Sequence, residues 1–162
     1  MRTWVVLLAL FLTALHGAAA QDAITIAEMM DDAVVLSVDD AMLKKAIVRA
    51  EDGAFTVQIL LVETLARPYL VAHCDDGVLR AYECRIEDGK VLLPVQGEAH
   101  ACSPTACADC RFMYANNGAI VGCECIGADT RKAKEGQQAH CGHRITSNQS
   151  ELVATLHRML KH

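Results

Sequence analysis

The stretch YLVAHCDDGVLRAYECRIEDGKVLLPV, Tyr69–Val95, decides the fold class. It holds three apolar runs, Tyr69–Cys74, Val78–Ile86 and Lys90–Val95, parted by Asp75-Asp76-Gly77 and Asp88-Gly89. Asp and Gly accept the left-handed backbone that a tight turn demands, so Asp-Gly between such runs predicts a hairpin. Just upstream, Phe55, Val57, Ile59 and Leu61 alternate with Thr56 and Gln58 at the period of a strand. Together these runs predict a four-stranded antiparallel meander.

Helical patterns flank it. Asp39 or Asp40 is placed to cap a helix over Ala41–Ala50, with Met42, Leu43 and Ile47 on an apolar face and Lys44, Lys45 and Arg49 in its later turns. This helix is expected to pack on the meander. A shorter helix is predicted at Ile26–Met30, with Met29 and Met30 as helix core rather than copper ligands. Ser147–His162 reads as a terminal helix capped by Ser150 or Asn148, with Leu152, Val153, Leu156, Met159 and Leu160 on one side. The expected class is α+β. Its expected divisions are a signal peptide (1–20), an α+β meander region (21–100), a cysteine-rich module (101–146) and a C-terminal helix (147–162), the last three forming one compact unit.

The signal reading rests on Arg2, the apolar stretch Val5–Leu15 and the small residues Ala18-Ala19-Ala20. A stretch of eleven residues, apolar but for Thr13, is too short to span a bilayer, so no membrane span is expected after cleavage, and the chain reads as secreted or periplasmic. Cleavage after Ala20 leaves 142 residues, enough for one domain with its own core. Charge is uneven. Residues 21–100 carry a balance of −8 and residues 101–162 a balance of +2. The one basic run, Arg131-Lys132-Ala133-Lys134, reads as a solvated loop. Only Phe55, Tyr69, Tyr82, Phe112 and Tyr114 remain as aromatics beyond the signal. Neither feature suits nucleic acid, which needs a basic stripe and stacking rings. Asn148-Gln149-Ser150 matches a glycosylation acceptor that matters only in a eukaryotic secretory pathway.

Cys74 and Cys84 flank the first hairpin but should not bond. A two-residue turn puts their sulfurs on opposite faces. A three-residue turn puts them on one face but about 20 Å apart along the ladder, against the roughly 7 Å between Cα atoms that a disulfide allows. Cys84 reads as a small core residue. His73 and Cys74, as strand neighbours, point to opposite faces and make a poor catalytic dyad. The pairs Asp31-Asp32, Asp39-Asp40 and Asp75-Asp76 fall at predicted helix starts or turns, where capping accounts for them.

The remaining six cysteines are Cys102, Cys107, Cys110, Cys123, Cys125 and Cys141, all in a segment that reads as loop-rich. Export and an even count favour a disulfide framework. Cys123 and Cys125 are too close to bond each other, so each should reach a different partner; the remaining connectivity stays open. The alternative is zinc, with Cys107, Cys110, Cys123 and Cys125 as two short clips and Cys141 and His143 as alternates. Cys107-Ala108-Asp109-Cys110 also has thiol-redox spacing, but without a preceding βαβ unit. Cys102, Cys107, Cys110 and Cys141 share the C-x4-C-x2-C order and distant fourth cysteine of plant-type ferredoxins. That iron–sulfur resemblance covers these four residues alone, and Cys123 and Cys125 depart from it.

No G-x-S-x-G, H-E-x-x-H, phosphate-binding glycine loop or G-x-G-x-x-G occurs. The expected role is non-enzymatic binding or structure, without a cofactor; the partner's identity stays open, with a protein as its expected class. Loops Ala115–Gly122 and Gly127–Gln138 would carry that role on a disulfide-held frame.

Overall fold

Residues 22–31, 33–51, 56–64, 67–129 and 136–162 are described by a computed structural model. The segment expected to be a signal peptide, Asp32, Phe55 and the basic run Arg131–Lys134 lie outside the described residues. The chain is mixed α+β, with antiparallel strands and, among the described residues, two helices. In order these are β1 (Ala23–Met30), β2 (Ala33–Leu36), α1 (Asp40–Ala50), β3 (Thr56–Thr64), β4 (Arg67–Cys74), β5 (Leu79–Glu83), β6 (Arg85–Glu87), β7 (Lys90–Pro94), β8 (Ala99–Thr105), β9 (Cys107–Tyr114), β10 (Ile120–Ala128), β11 (His140–Thr146) and α2 (Ser150–Leu160).

A five-stranded sheet in the order β11-β8-β5-β4-β3 forms the centre. Its inner strands β4 and β5 are buried on both sides, which the side-chain period of two makes legible residue by residue. On β4 and β5, Leu70, Ala72 and Tyr82 face a core shared with Ile24, Ile26, Leu43, Ile47, Val91, Leu93, Leu152 and Leu156. Tyr69, Val71, Leu79 and Ala81 face the opposite way, onto Cys102, Cys110, Phe112 and Ile120. The first core is closed by both helices and by a second sheet, β2-β1-β7-β6. The smaller core is closed by a two-stranded ribbon of β9 and β10.

The Asp75-Asp76-Gly77 turn has the three-residue geometry. His73 pairs with Leu79, and the Cys74 N–H donates to the Val78 carbonyl at 3.1 Å. Gly77 takes φ 77°, which a side chain would strain, and the Val78 N–H donates to Asp76 Oδ1 at 2.9 Å. The Asp88-Gly89 hairpin also forms, joining β6 to β7.

The meander itself does not continue into its fourth strand. The alternation over Val78–Ile86 breaks at Cys84, and β6 and β7 leave for the second sheet, where β7 pairs with β1. The cause is competition for an edge. Beside β5 that edge is taken by β8, with Tyr82 opposite Ala99 and Leu79 opposite Cys102. The expected short helix at Ile26–Met30 is instead the end of strand β1, because Ile24 and Ile26 bury at strand period and a bulge between Thr25 and Ala27 carries Ala27 inward too. Met29 is half-buried against the core, whereas Met30 is exposed. The described residues of the module, within 101–146, are not loop-rich: most of them belong to β9, β10, β11 and the greater part of β8.

Helix α1 is capped by Asp39, whose Oδ1 accepts from the Met42 N–H at 3.1 Å. Helix α2 begins later than expected. Its cap position is Gln149 rather than Ser150 or Asn148, but Asn148 Oδ1 accepts from the Ser150 N–H at 2.7 Å. Buried Gln149 instead ties the helix start to the sheets, donating from Nε2 to the Glu83 carbonyl at 2.9 Å and from its backbone to Val95. The two helices pack together, with Leu152, Val153 and Leu156 buried and Leu160 exposed. Among the described residues, no helix is long and apolar enough to cross a membrane.

Leu43 on α1 is fully buried in the larger core. Leu43→Ala is expected to lower unfolding stability by about 2–5 kcal/mol in urea titrations. Leu160→Ala, at an exposed position, is expected to change it by less than about 0.5 kcal/mol.

Candidate functional site

The chain leaves the central sheet through Ala106, which takes φ 55° between β8 and β9. From there the β9–β10 ribbon folds back over the sheet. Its register places Cys110 opposite Cys125 and Phe112 opposite Cys123, so these four residues share the inward face. That face carries the chemistry of the module.

All six module cysteines are bridged: Cys102–Cys123, Cys107–Cys125 and Cys110–Cys141, with Cα separations of 5.9, 5.7 and 6.0 Å. Two bridges staple the ribbon to the sheet, one from Cys123 to β8 and one from Cys110 to β11. The third lies within the ribbon. Cys107 and Cys110 therefore do not bond each other, and they sit on a strand rather than at a helix N-terminus, the setting that activates a redox C-x-x-C. Cys123 and Cys125 reach different partners. The sulfurs of Cys107, Cys125 and Cys141 lie within 4.8 Å of one another, where the second and third bridges meet.

Beside the bridges, His100 is buried against Tyr69 and Phe112 at ring-centroid distances of 6.0 and 6.4 Å. It stacks on His143, with Nδ1 and Nε2 3.2 Å apart. This contact follows from the β8–β11 register, which places His143 next to Cys102 and His100 opposite Ile145. His143 is thus engaged with His100 rather than gathered with the sulfurs. Glu98 Oε2 lies 3.4 Å from His100 Nε2 but is not aligned to accept a hydrogen bond. Burial lowers the His100 pKa; Glu98 opposes this and His143 adds to it.

The other face of the sheet holds a polar cluster that no sequence motif announced. Arg80 is buried and donates to Glu51 Oε2 at 3.2 Å and to Cys74 Sγ at 3.0 Å. Tyr82 donates its hydroxyl to Glu51 Oε1 at 3.1 Å. Burial works against the charge on Arg80, but Cys74 and Glu51 outweigh it and raise the pKa. Burial and Glu51 together raise that of Tyr82 well above its ordinary value. Glu51, Arg80, Tyr82, Arg144 and Thr146 line a cleft of about 140 Å³. Arg80 and Tyr82 both pair with Glu51 at the end of α1, and the signal for them was the alternation that put Arg80 and Tyr82 on one face.

Cys74 and Cys84 are both buried and unbridged. Burial pushes the Cys84 thiol up to about 12, far from a reactive thiolate. His73 turns to the opposite face from Cys74, lining a groove with Val71, Phe112 and Ile126. Of the expected binding loops, Ala115–Gly122 is a tight turn at Ala115–Ala119 followed by the start of β10, and Gly127–Gln138 begins inside β10. The exposed apolar residues of this region, Met113, Tyr114, Val121 and Ile126, lie on the ribbon strands instead.

Compared with known proteins, the chain matches no family model, no curated protein and no solved structure.

Two outcomes follow from this geometry. Peptide mapping without reduction is expected to recover Cys102–Cys123, Cys107–Cys125 and Cys110–Cys141, with Cys74 and Cys84 alkylated only after denaturation. Because the folded state holds His100 below its unfolded value, stability is full above about pH 6.5. It is lost as pH falls from there through the lower folded value. Urea midpoints between pH 7.5 and 5 are expected to drop, and His100→Gln to flatten that slope.

Proposed function

We propose that this chain is an exported, non-enzymatic binding or structural protein whose six-cysteine module is stabilised by disulfides. The observation that carries the reading is the pairing of all six module cysteines, with two bridges fixing one ribbon onto the central sheet. Such bonds persist in oxidising compartments. The signal pattern of Arg2, Val5–Leu15 and Ala18–Ala20 supports the same compartment.

A rigid frame with exposed side chains suits recognition. Met113, Tyr114 and Val121 stand exposed on the ribbon, flanked by the ion pair of Arg111 with Glu124. Aromatic and Met side chains on a stiff support suit the apolar patch of a protein partner. The reading needs no cofactor. Buried Arg80 and Tyr82 both bond the half-buried Glu51, which supports a structural role for them rather than catalysis.

Expression of the whole chain in a secreting host tests this. The product is expected in the exported fraction, starting at Gln21, with six module thiols that alkylate only after reduction. Cytosolic retention with those thiols freely reactive would overturn the reading. A photo-crosslinking residue at Tyr114 is expected to give a discrete protein adduct outside the cell, whereas one at Arg85 is not. Absence of any adduct from Tyr114 would sink the binding half.

A further inference from the structure

We infer that the module has a second, reduced form, in which Cys107, Cys110, Cys125 and Cys141 hold one zinc ion that oxidation to disulfides releases. The inference goes beyond the binding role and does not depend on it. Three of the four sulfurs, those of Cys107, Cys125 and Cys141, already lie within 4.8 Å of one another. The fourth, on Cys110, is bonded to Cys141, and Cys110 sits directly opposite Cys125 in the ribbon. Directly opposed residues on one face have Cβ atoms about 4.5–5.5 Å apart.

A tetrahedral site with Zn–S distances of about 2.3 Å has sulfurs roughly 3.8 Å apart along each edge. Opening two bridges lengthens two edges toward that value, and closing around the ion shortens the others. The movements are of the order of side-chain rotations, because the ladders β9–β10 and β8–β11 hold the backbones in place. Cys102–Cys123 lies outside the cluster and remains a staple between ribbon and sheet. This assignment accounts for a count of six where one ion takes four. It differs from the clip pairing read off the sequence, since Cys141 replaces Cys123 and His143 is stacked on His100.

The exchange balances. Each of the two bridges takes up two electrons and two protons. Two small thiols supply both and become a disulfide, or a phosphine supplies the electrons and becomes its oxide while water supplies the protons and the oxygen. Four thiols result, and Zn²⁺ displaces their four protons. In reverse, two molecules of a small disulfide such as oxidised glutathione accept four electrons and become four thiolates. Two protein bridges form, and the zinc ion leaves.

The test uses the full chain, purified oxidised and then reduced with a phosphine, with Co²⁺ as the optical probe. One equivalent is expected to give the visible spectrum of a tetrahedral four-thiolate site, bleached by Zn²⁺. The pair Cys102→Ser with Cys123→Ser is expected to keep that spectrum, while Cys125→Ser or Cys141→Ser loses it. X-ray absorption of the wild-type zinc form is expected to show four sulfurs at about 2.3 Å, a readout independent of any variant's folding. Oxidised glutathione is expected to release one zinc for every four thiols consumed. A spectrum that survives Cys141→Ser but needs Cys123, a stoichiometry other than one, or no four-sulfur shell would each overturn the assignment.

Discussion

The second face of the central sheet is covered by a ribbon that two sulfur bridges hold against it. Tyr69, Val71, Leu79 and Ala81 would otherwise present an apolar strip to water, and the ribbon brings little apolar area of its own beyond Phe112 and Ile120. Cys102–Cys123 and Cys110–Cys141 close loops of 21 and 31 residues in sequence separation. Each bridge of this kind contributes about 2–4 kcal/mol, mainly by restricting the unfolded chain. The smaller core is therefore as much a product of covalent constraint as of hydrophobic burial.

The larger core works differently. Leu43 and Ile47 from α1, Leu152 and Leu156 from α2, and Val91 and Leu93 from β7 meet the other face of the same sheet with no covalent link. One sheet thus separates two stabilising mechanisms. At its margin, the Glu51–Arg80–Tyr82 cluster ties the end of α1 to β5 with charge-assisted bonds that leave buried Arg80 and Tyr82 paired.

Local features were legible in the sequence. The turn at Asp75–Gly77, the Asp88-Gly89 hairpin and the Asp39 cap each depend on a few adjacent residues whose preferences agree. The isolation of Cys74 from Cys84 followed from strand arithmetic that the three-residue turn realises. Sheet membership was not legible. Whether β7 or β8 borders the hairpin depends on which distant strand wins an open edge, and nothing within Lys90–Val95 encodes that contest. The strand at Ile26–Met30 was missed because its bulge puts Ile26 and Ala27 inward in succession, which blurs the period of two. Connectivity was hidden for a related reason. Cys110 and Cys141 are 31 residues apart and meet only once the ribbon lies on the sheet.

The order of the bridges has a further consequence. Within the module the first cysteine joins the fourth, the second the fifth and the third the sixth, so all three bonds span the segment between Cys110 and Cys123. The exposed turn at Asn116-Asn117 lies in that segment and offers a protease a place to cut. A single cut there leaves the two pieces joined three times over. The molecule can be nicked at this turn and still keep its covalent integrity until something reduces it.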